Sequence, residues 1–152
     1  MKQTRTFPGR YESLIDICRF VVDAAKKAGL SDSQSYAVEL AVDEACTNII
    51  EHAYGGEGIG DIRCTCDTSN KELTIILYDF GRPFNPRNVP PPNSKARLKD
   101  LKPGGAGLFL IYKMMDEVHF NFTKDDGNVL TMVKLGEKTN ITEGQRTSLK
   151  EK

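Results

Sequence analysis

Neither sign of charge is in excess in this chain: Lys+Arg and Asp+Glu each number 21. No global field therefore draws it toward nucleic acid or an anionic membrane, and direct contact with either is not expected. No apolar run reaches the ~18 residues of a membrane-spanning helix, and Met1-Lys2-Gln3-Thr4-Arg5 lacks the apolar core of a signal peptide. The expected location is the cytoplasm. Cysteine is scarce, at four residues. Cys18 and Cys46 sit among apolar neighbours in helical segments and read as small core residues. Cys64 and Cys66 alternate along a strand, and their C-x-C spacing has no companion pair, which argues against a zinc site and a disulfide framework. Histidine is scarcer still, at two, and neither His52 nor His119 sits in a phosphoacceptor-helix context. With 39% hydrophobic and 28% charged residues, the 152-residue chain reads as one ordinary globular domain with room for one core.

Within that frame the elements follow from periodicity. Lys2 to Phe7 reads as an edge strand stopped by Pro8-Gly9. Leu14, Ile15, Cys18, Val21, Val22 and Ala25 keep a helical period that Gly29 closes. Ser31 or Ser33 caps a second helix running to about Tyr54, with Ala37, Leu40, Ala41, Ala45, Ile49 and Ala53 on its core face and Gly55-Gly56 ending it. Ile59 to Asp67 and Leu73 to Tyr78 read as strands joined at Ser69-Asn70-Lys71. Prolines 83, 86, 90, 91, 92 and 103 keep residues 82–103 irregular, and a loop of that length in a compact domain is usually functional. Leu108 to Met115 reads as a helix, and Val118–Phe122 and Val129–Leu135 as strands joined by the turn Asp125-Asp126-Gly127-Asn128. Residues 1–136 thus form the domain and 137–152 a polar, disordered tail. With no internal repeat, the order β-α-α-β-β-loop-α-β-β predicts an α/β (α+β) two-layer sandwich. Its mixed, mostly antiparallel sheet would be covered on one face by three helices.

Three short stretches carry chemistry. Glu44, Asn48 and His52 fall at i, i+4 and i+8, a polar stripe on one helix face. Asn48 offers a neutral carbonyl oxygen, a hard donor suited to Mg²⁺. Glu44, one turn earlier, would stand near a metal-bound γ-phosphate, where it could take the proton of an attacking hydroxyl. Asp79 ends an apolar strand, where an unpaired carboxylate is costly. An adenine 6-amino group suits it, whereas guanine presents an acceptor there. Gly81 would let the purine approach the backbone. Gly104, Gly105 and Gly107 lead into a helix whose free N–H groups can cradle phosphates, although the Gly-Lys-Ser/Thr of a P-loop is missing. Asp79-Phe80-Gly81 also spells the magnesium motif of eukaryotic-type protein kinases, but no His-Arg-Asp loop precedes it and the chain is too short for that fold. Arg87, Lys95, Arg97, Lys99 and Lys102 make the proline-rich loop basic, which suits either a solvated loop or an ATP lid folding over the triphosphate.

Taken in order and spacing, Glu44-x-x-x-Asn48, Asp79-x-Gly81-x-x-Phe84 and Gly104-Gly105-x-Gly107-Leu108 resemble the three boxes of the Bergerat-type ATP-binding fold of gyrase, mismatch-repair ATPases and histidine kinases. Thr47-Asn48-x-x-x-His52-x-Tyr54 and the text from Gly107 to Val118 are similar to the anti-sigma-factor serine kinases of bacterial partner-switching systems. That resemblance implies ATP and Mg²⁺ as cofactors, a nucleotide contact at Leu108, and a Thr131 hydroxyl helping Asp79 hold adenine. It further implies a Ser/Thr protein kinase that sequesters a sigma factor or another regulator, phosphorylates an antagonist protein and forms a homodimer. One departure bears on partners: where those kinases carry a basic residue near the start of the first helix, Asp16 stands here, flanked by Arg10 and Arg19. The competing expectations are a nucleotide-sensing module without chemistry and a detached histidine-kinase catalytic domain. A gyrase-type clamp would call for a transducer domain.

Overall fold

The computed structural model describes residues 1–83, 105–123 and 127–136. Its sheet is built from β1 (Lys2–Pro8), β2 (Asp61–Ser69), β3 (Glu72–Asp79), β4 (Glu117–Thr123) and β5 (Gly127–Leu135). The spatial order is β1-β2-β3-β5-β4, and all four pairings are antiparallel. The parallel component expected of a mixed sheet is therefore missing among the described residues. The cause is topological: β3 and β4 run the same way, but β5 inserts between them and makes both contacts antiparallel.

Alternation fixes which side of the sheet is the core. Ile62, Cys64 and Cys66 of β2 and Leu73, Ile75 and Leu77 of β3 are all buried under the helices. Asp79 continues the β3 row, so its carboxylate lies on the helix-covered face at the end of the sheet.

The first helix, α1 (Leu14–Lys27), follows a 3₁₀ turn at Tyr11–Ser13. It ends in a Schellman closure: Gly29 at φ +86° donates to the Lys26 carbonyl and Leu30 to that of Ala25, each at 3.0 Å. Its buried row is Ile17, Cys18, Val21, Ala24 and Ala25, while Ile15, expected inside, is exposed. For α2 (Asp32–Asn48) the cap is Ser31: its hydroxyl accepts from Gln34 N–H, and the Gln34 side chain accepts from Ser31 N–H. The buried apolar residues of α2 are Val38, Ala41, Val42, Ala45 and Cys46, so Ala37 and Leu40 flank the core rather than fill it. The stripe is hard to phase because α2 is the middle helix, packed against both α1 and α3 (Gly105–Met114).

All four cysteines are buried and unpaired, with no disulfide. Burial, reinforced by Asp43 and Glu39, pushes the Cys18 thiol up to about 11, which keeps it an inert core group. Among the described residues no helix is long and apolar enough to cross a membrane. The proline-rich loop with its basic residues, Phe84, Gly104, the centre of the last hairpin turn and the tail from 137 onward lie outside the described residues.

Candidate functional site

The site is assembled where α2 ends. After Asn48 the helix does not continue as α: Ile49–Ala53 form a π turn, with Tyr54 N–H donating to the Ile49 carbonyl. Single π turns inside helices are associated with functional positions. The widened turn breaks the four-residue period, so His52 leaves the Glu44–Asn48 row. It is exposed, with Nε2 4.0 Å from a Glu51 carboxylate oxygen.

Glu44 and Asn48 face the start of α3. A Cβ placed on Gly107 would sit 2.7 Å from Glu44 Oε2 and 3.2 Å from Asn48 Nδ2. A larger residue there would displace the Glu44 carboxylate, and this close approach brings the first and third stretches together. Because α3 begins at Gly105 rather than at Leu108, Gly105 and Gly107 belong to its first turn, whose N–H groups have no intrahelical acceptors. The Leu108 side chain is a core residue, 4% exposed, so only its backbone is available to a nucleotide. Asn48 Nδ2 is buried and meets no acceptor among the described residues. An amide left unengaged beside a carboxylate and a helix N-terminus fits a bound phosphate and magnesium: the carbonyl oxygen suits the metal and the amino group a phosphate oxygen.

The second stretch is held to the same helix end. A Cβ on Gly81 would lie 2.5 Å from the Ala53 carbonyl, and Arg82 N–H donates to that carbonyl at 2.7 Å. The Tyr54 hydroxyl accepts from Phe80 N–H at 3.1 Å and donates to the Asp61 carbonyl at 2.5 Å. These bonds tie the Asp79–Gly81 corner to the π turn and to β2. Asp79 is 4% exposed, and its Oδ1 accepts from Gly81 N–H and from Asn128 Nδ2, each at 2.8 Å. Burial raises the Asp79 carboxyl above the ordinary carboxylate value, against the pull of these two donors.

Thr131 does not stand beside Asp79. The register pairs it with Ile76 and His119, whereas Asp79 pairs with Asn128, so Thr131 points away from the helices and cannot share in holding a base at Asp79. The residue that stands beside Asp79 is Asn128. Sequence reasoning missed it because asparagine after Gly127 reads as a turn residue. A cavity of about 650 Å³, lined by Thr6, Arg63, Tyr78 and Phe80 together with Ala53, Tyr54, Gly81 and Arg82, reaches the Gly81 corner but includes none of Glu44, Asn48 or Asp79.

The profile of the histidine kinase-like ATPase domain matches residues 7–134. The chain belongs to that family. Among its relatives in this family, the serine-protein kinase RsbW of Halalkalibacterium halodurans is 34% identical over 134 residues, 85% of this chain and 80% of the relative. The RsbW serine-protein kinases of Bacillus licheniformis and Staphylococcus epidermidis are 30% and 31% identical over 124 and 129 residues, covering 79% and 81% of this chain. Each alignment also spans 76% to 80% of the relative's own length, so the likeness runs through the ATPase domain rather than one box of it.

Proposed function

We propose that the protein is an ATP- and Mg²⁺-dependent protein serine/threonine kinase that acts as a partner-switching regulator. It holds a sigma factor or another regulator in the cytoplasm, as a homodimer, and releases it when an unphosphorylated antagonist protein docks. It then phosphorylates the antagonist on a serine or threonine. The observation that carries this reading is the approach of Glu44 and Asn48 to Gly107, which joins a carboxylate base, a metal ligand and a phosphate-binding helix end. The RsbW relatives, serine-protein kinases by name, support the choice of serine over histidine as acceptor.

Asp79 holds the adenine amino group through its carboxylate, and Gly81 leaves room for the ring. The first turn of α3 receives the phosphates, and Asn48 supplies its carbonyl to Mg²⁺. When bound, the metal neutralises and orients the phosphate oxygens. Glu44 accepts the proton of the antagonist's hydroxyl as the serine oxygen bonds to the γ-phosphorus and the bridging oxygen leaves with ADP.

The test is incubation with labelled Mg-ATP and antagonist proteins encoded beside this one, followed by acid and alkali. Acid-stable, alkali-labile label on the antagonist is the expected result, because serine phosphate resists acid and histidine phosphate does not. Acid-labile label would assign the chemistry to histidine. ATP-dependent partner binding without transfer would make the protein a sensing module.

A further inference from the structure

We infer that Tyr54 is a positioning residue for adenine recognition: its hydroxyl wedges the end of β3 away from β2 and so aims the Asp79 carboxylate at the base. The inference rests on the adenine reading of Asp79. The β2–β3 register closes at Arg63 and Tyr78, and its continuation sets Asp61 opposite Phe80. The ladder stops short of that pair. The Tyr54 hydroxyl stands there instead, accepting from Phe80 N–H at 3.1 Å and donating to the Asp61 carbonyl at 2.5 Å.

The local sequence seats that hydroxyl. The π turn at Ile49–Ala53 carries the chain round to Tyr54. Glycine at 60 lets the ring lie against the backbone of the next loop, where a Cβ would run into ring carbons Cε1 and Cζ. Burial raises the phenol above its ordinary value, against the pull of Phe80 N–H, so the hydroxyl keeps its proton and stays a donor to Asp61. The bond it accepts fixes the peptide unit that directly follows Asp79. The next two N–H groups are held as well: Gly81 donates to Asp79 Oδ1 at 2.8 Å and Arg82 to the Ala53 carbonyl at 2.7 Å. Three consecutive amides thus fix the corner through three acceptors. Of these, only the Tyr54 hydroxyl can be removed without touching the main chain or the carboxylate that reads the base. Without it, Phe80 N–H loses its acceptor and can turn toward the Asp61 carbonyl from which the hydroxyl held it apart. That rotation swings the Asp79 carboxylate, and a hydrogen bond to the adenine amine weakens steeply as it leaves the line.

The experiment is calorimetric titration with Mg-ATP and with Mg-purine riboside triphosphate, which lacks only the 6-amino group. Wild type is compared with Tyr54→Phe, which removes the hydroxyl and keeps the ring. Wild type is expected to bind ATP about tenfold more tightly or better, the scale of one hydrogen bond to a charged group. Tyr54→Phe is expected to reduce that ratio to about threefold or less, with affinity for the purine riboside triphosphate unchanged. Equal weakening of both nucleotides, or an unchanged ratio, would reduce Tyr54 to a structural residue and overturn the inference. Hydrogen exchange at the Phe80 amide reads the wedge in wild type alone: slow exchange is expected, and exchange as fast as in an unfolded chain would overturn the inference even if the variant failed to fold. A wild type without preference between the two nucleotides would instead overturn the adenine reading of Asp79, and this inference with it.

Discussion

Asp79 is a buried carboxylate whose two donors among the described residues engage one oxygen, and that arrangement makes its behaviour testable residue by residue. Asp79→Asn sets a donor toward the adenine amine, so ATP binding is expected to weaken by roughly 1.5–3 kcal/mol while GTP gains relative to it, read by calorimetry. The pH dependence follows from the raised carboxyl. Only the ionised form makes the charge-assisted bond, so ATP affinity is expected to fall as pH drops through a window lying above the ordinary value of 3.8. Stability of the unliganded protein has the opposite sign. The folded state binds the Asp79 proton more tightly than the unfolded chain, so this group's contribution is present at low pH and is lost as pH rises through the same window, measurable in urea melts. Asn48→Ala removes a side chain outside the apolar core and is expected to abolish magnesium-dependent nucleotide binding with an unchanged melting curve. Asp79, Asn48 and Glu44 stood out in the sequence as candidates because a carboxylate ending an apolar strand and a polar stripe on a helix conflict with plain packing. The bond from Asn128 to Asp79 could not be read there, since it joins residues 49 positions apart across two strands.

At the scale of elements, the close approaches matter more than propensity. The π turn after Asn48 and the corner at Gly81 are pressed together, and Gly81→Ala would set a methyl 2.5 Å from the Ala53 carbonyl. The expected cost is about 1–3 kcal/mol of stability together with weakened ATP binding, since the same corner positions Asp79. Ser31→Ala tests an element away from the site. It removes the capping box of α2 and is expected to cost about 0.5–2 kcal/mol in a denaturant melt without changing nucleotide affinity. Helices and strands were legible wherever one face meets solvent, as along β2, whose buried residues alternate with exposed or half-buried ones. The π turn was not legible, because Ile49–Ala53 has a composition compatible with an ordinary helix and only the bond from Tyr54 N–H to the Ile49 carbonyl shows the widened turn. The burial phase of α2 was misread for a related reason: packed against two helices, it has no single apolar stripe to identify.

For the molecule as a whole, one antiparallel sheet under three helices places α2 in the middle, where its C-terminal end meets both the Asp79 corner and the first turn of α3. A nucleotide bound from adenine at Asp79 to phosphates at α3 would therefore lie along that helix end, with Glu44 beside the terminal phosphate. The sandwich architecture was legible from the order of elements, whereas the purely antiparallel pairing was not, because it depends on β5 inserting between β3 and β4. The measurement that bears most directly on the kinase reading is the single-turnover rate of phosphoryl transfer from Mg-ATP to the antagonist's serine, for wild type beside Glu44→Gln. Glutamine keeps the shape of glutamate but cannot take the proton, so the rate is expected to fall about 10²–10⁴-fold. ATP affinity and partner binding should hold steady, because the carboxylate acts mainly in the transition state. Transfer at an undiminished rate by the variant would contradict the assignment of Glu44 as base.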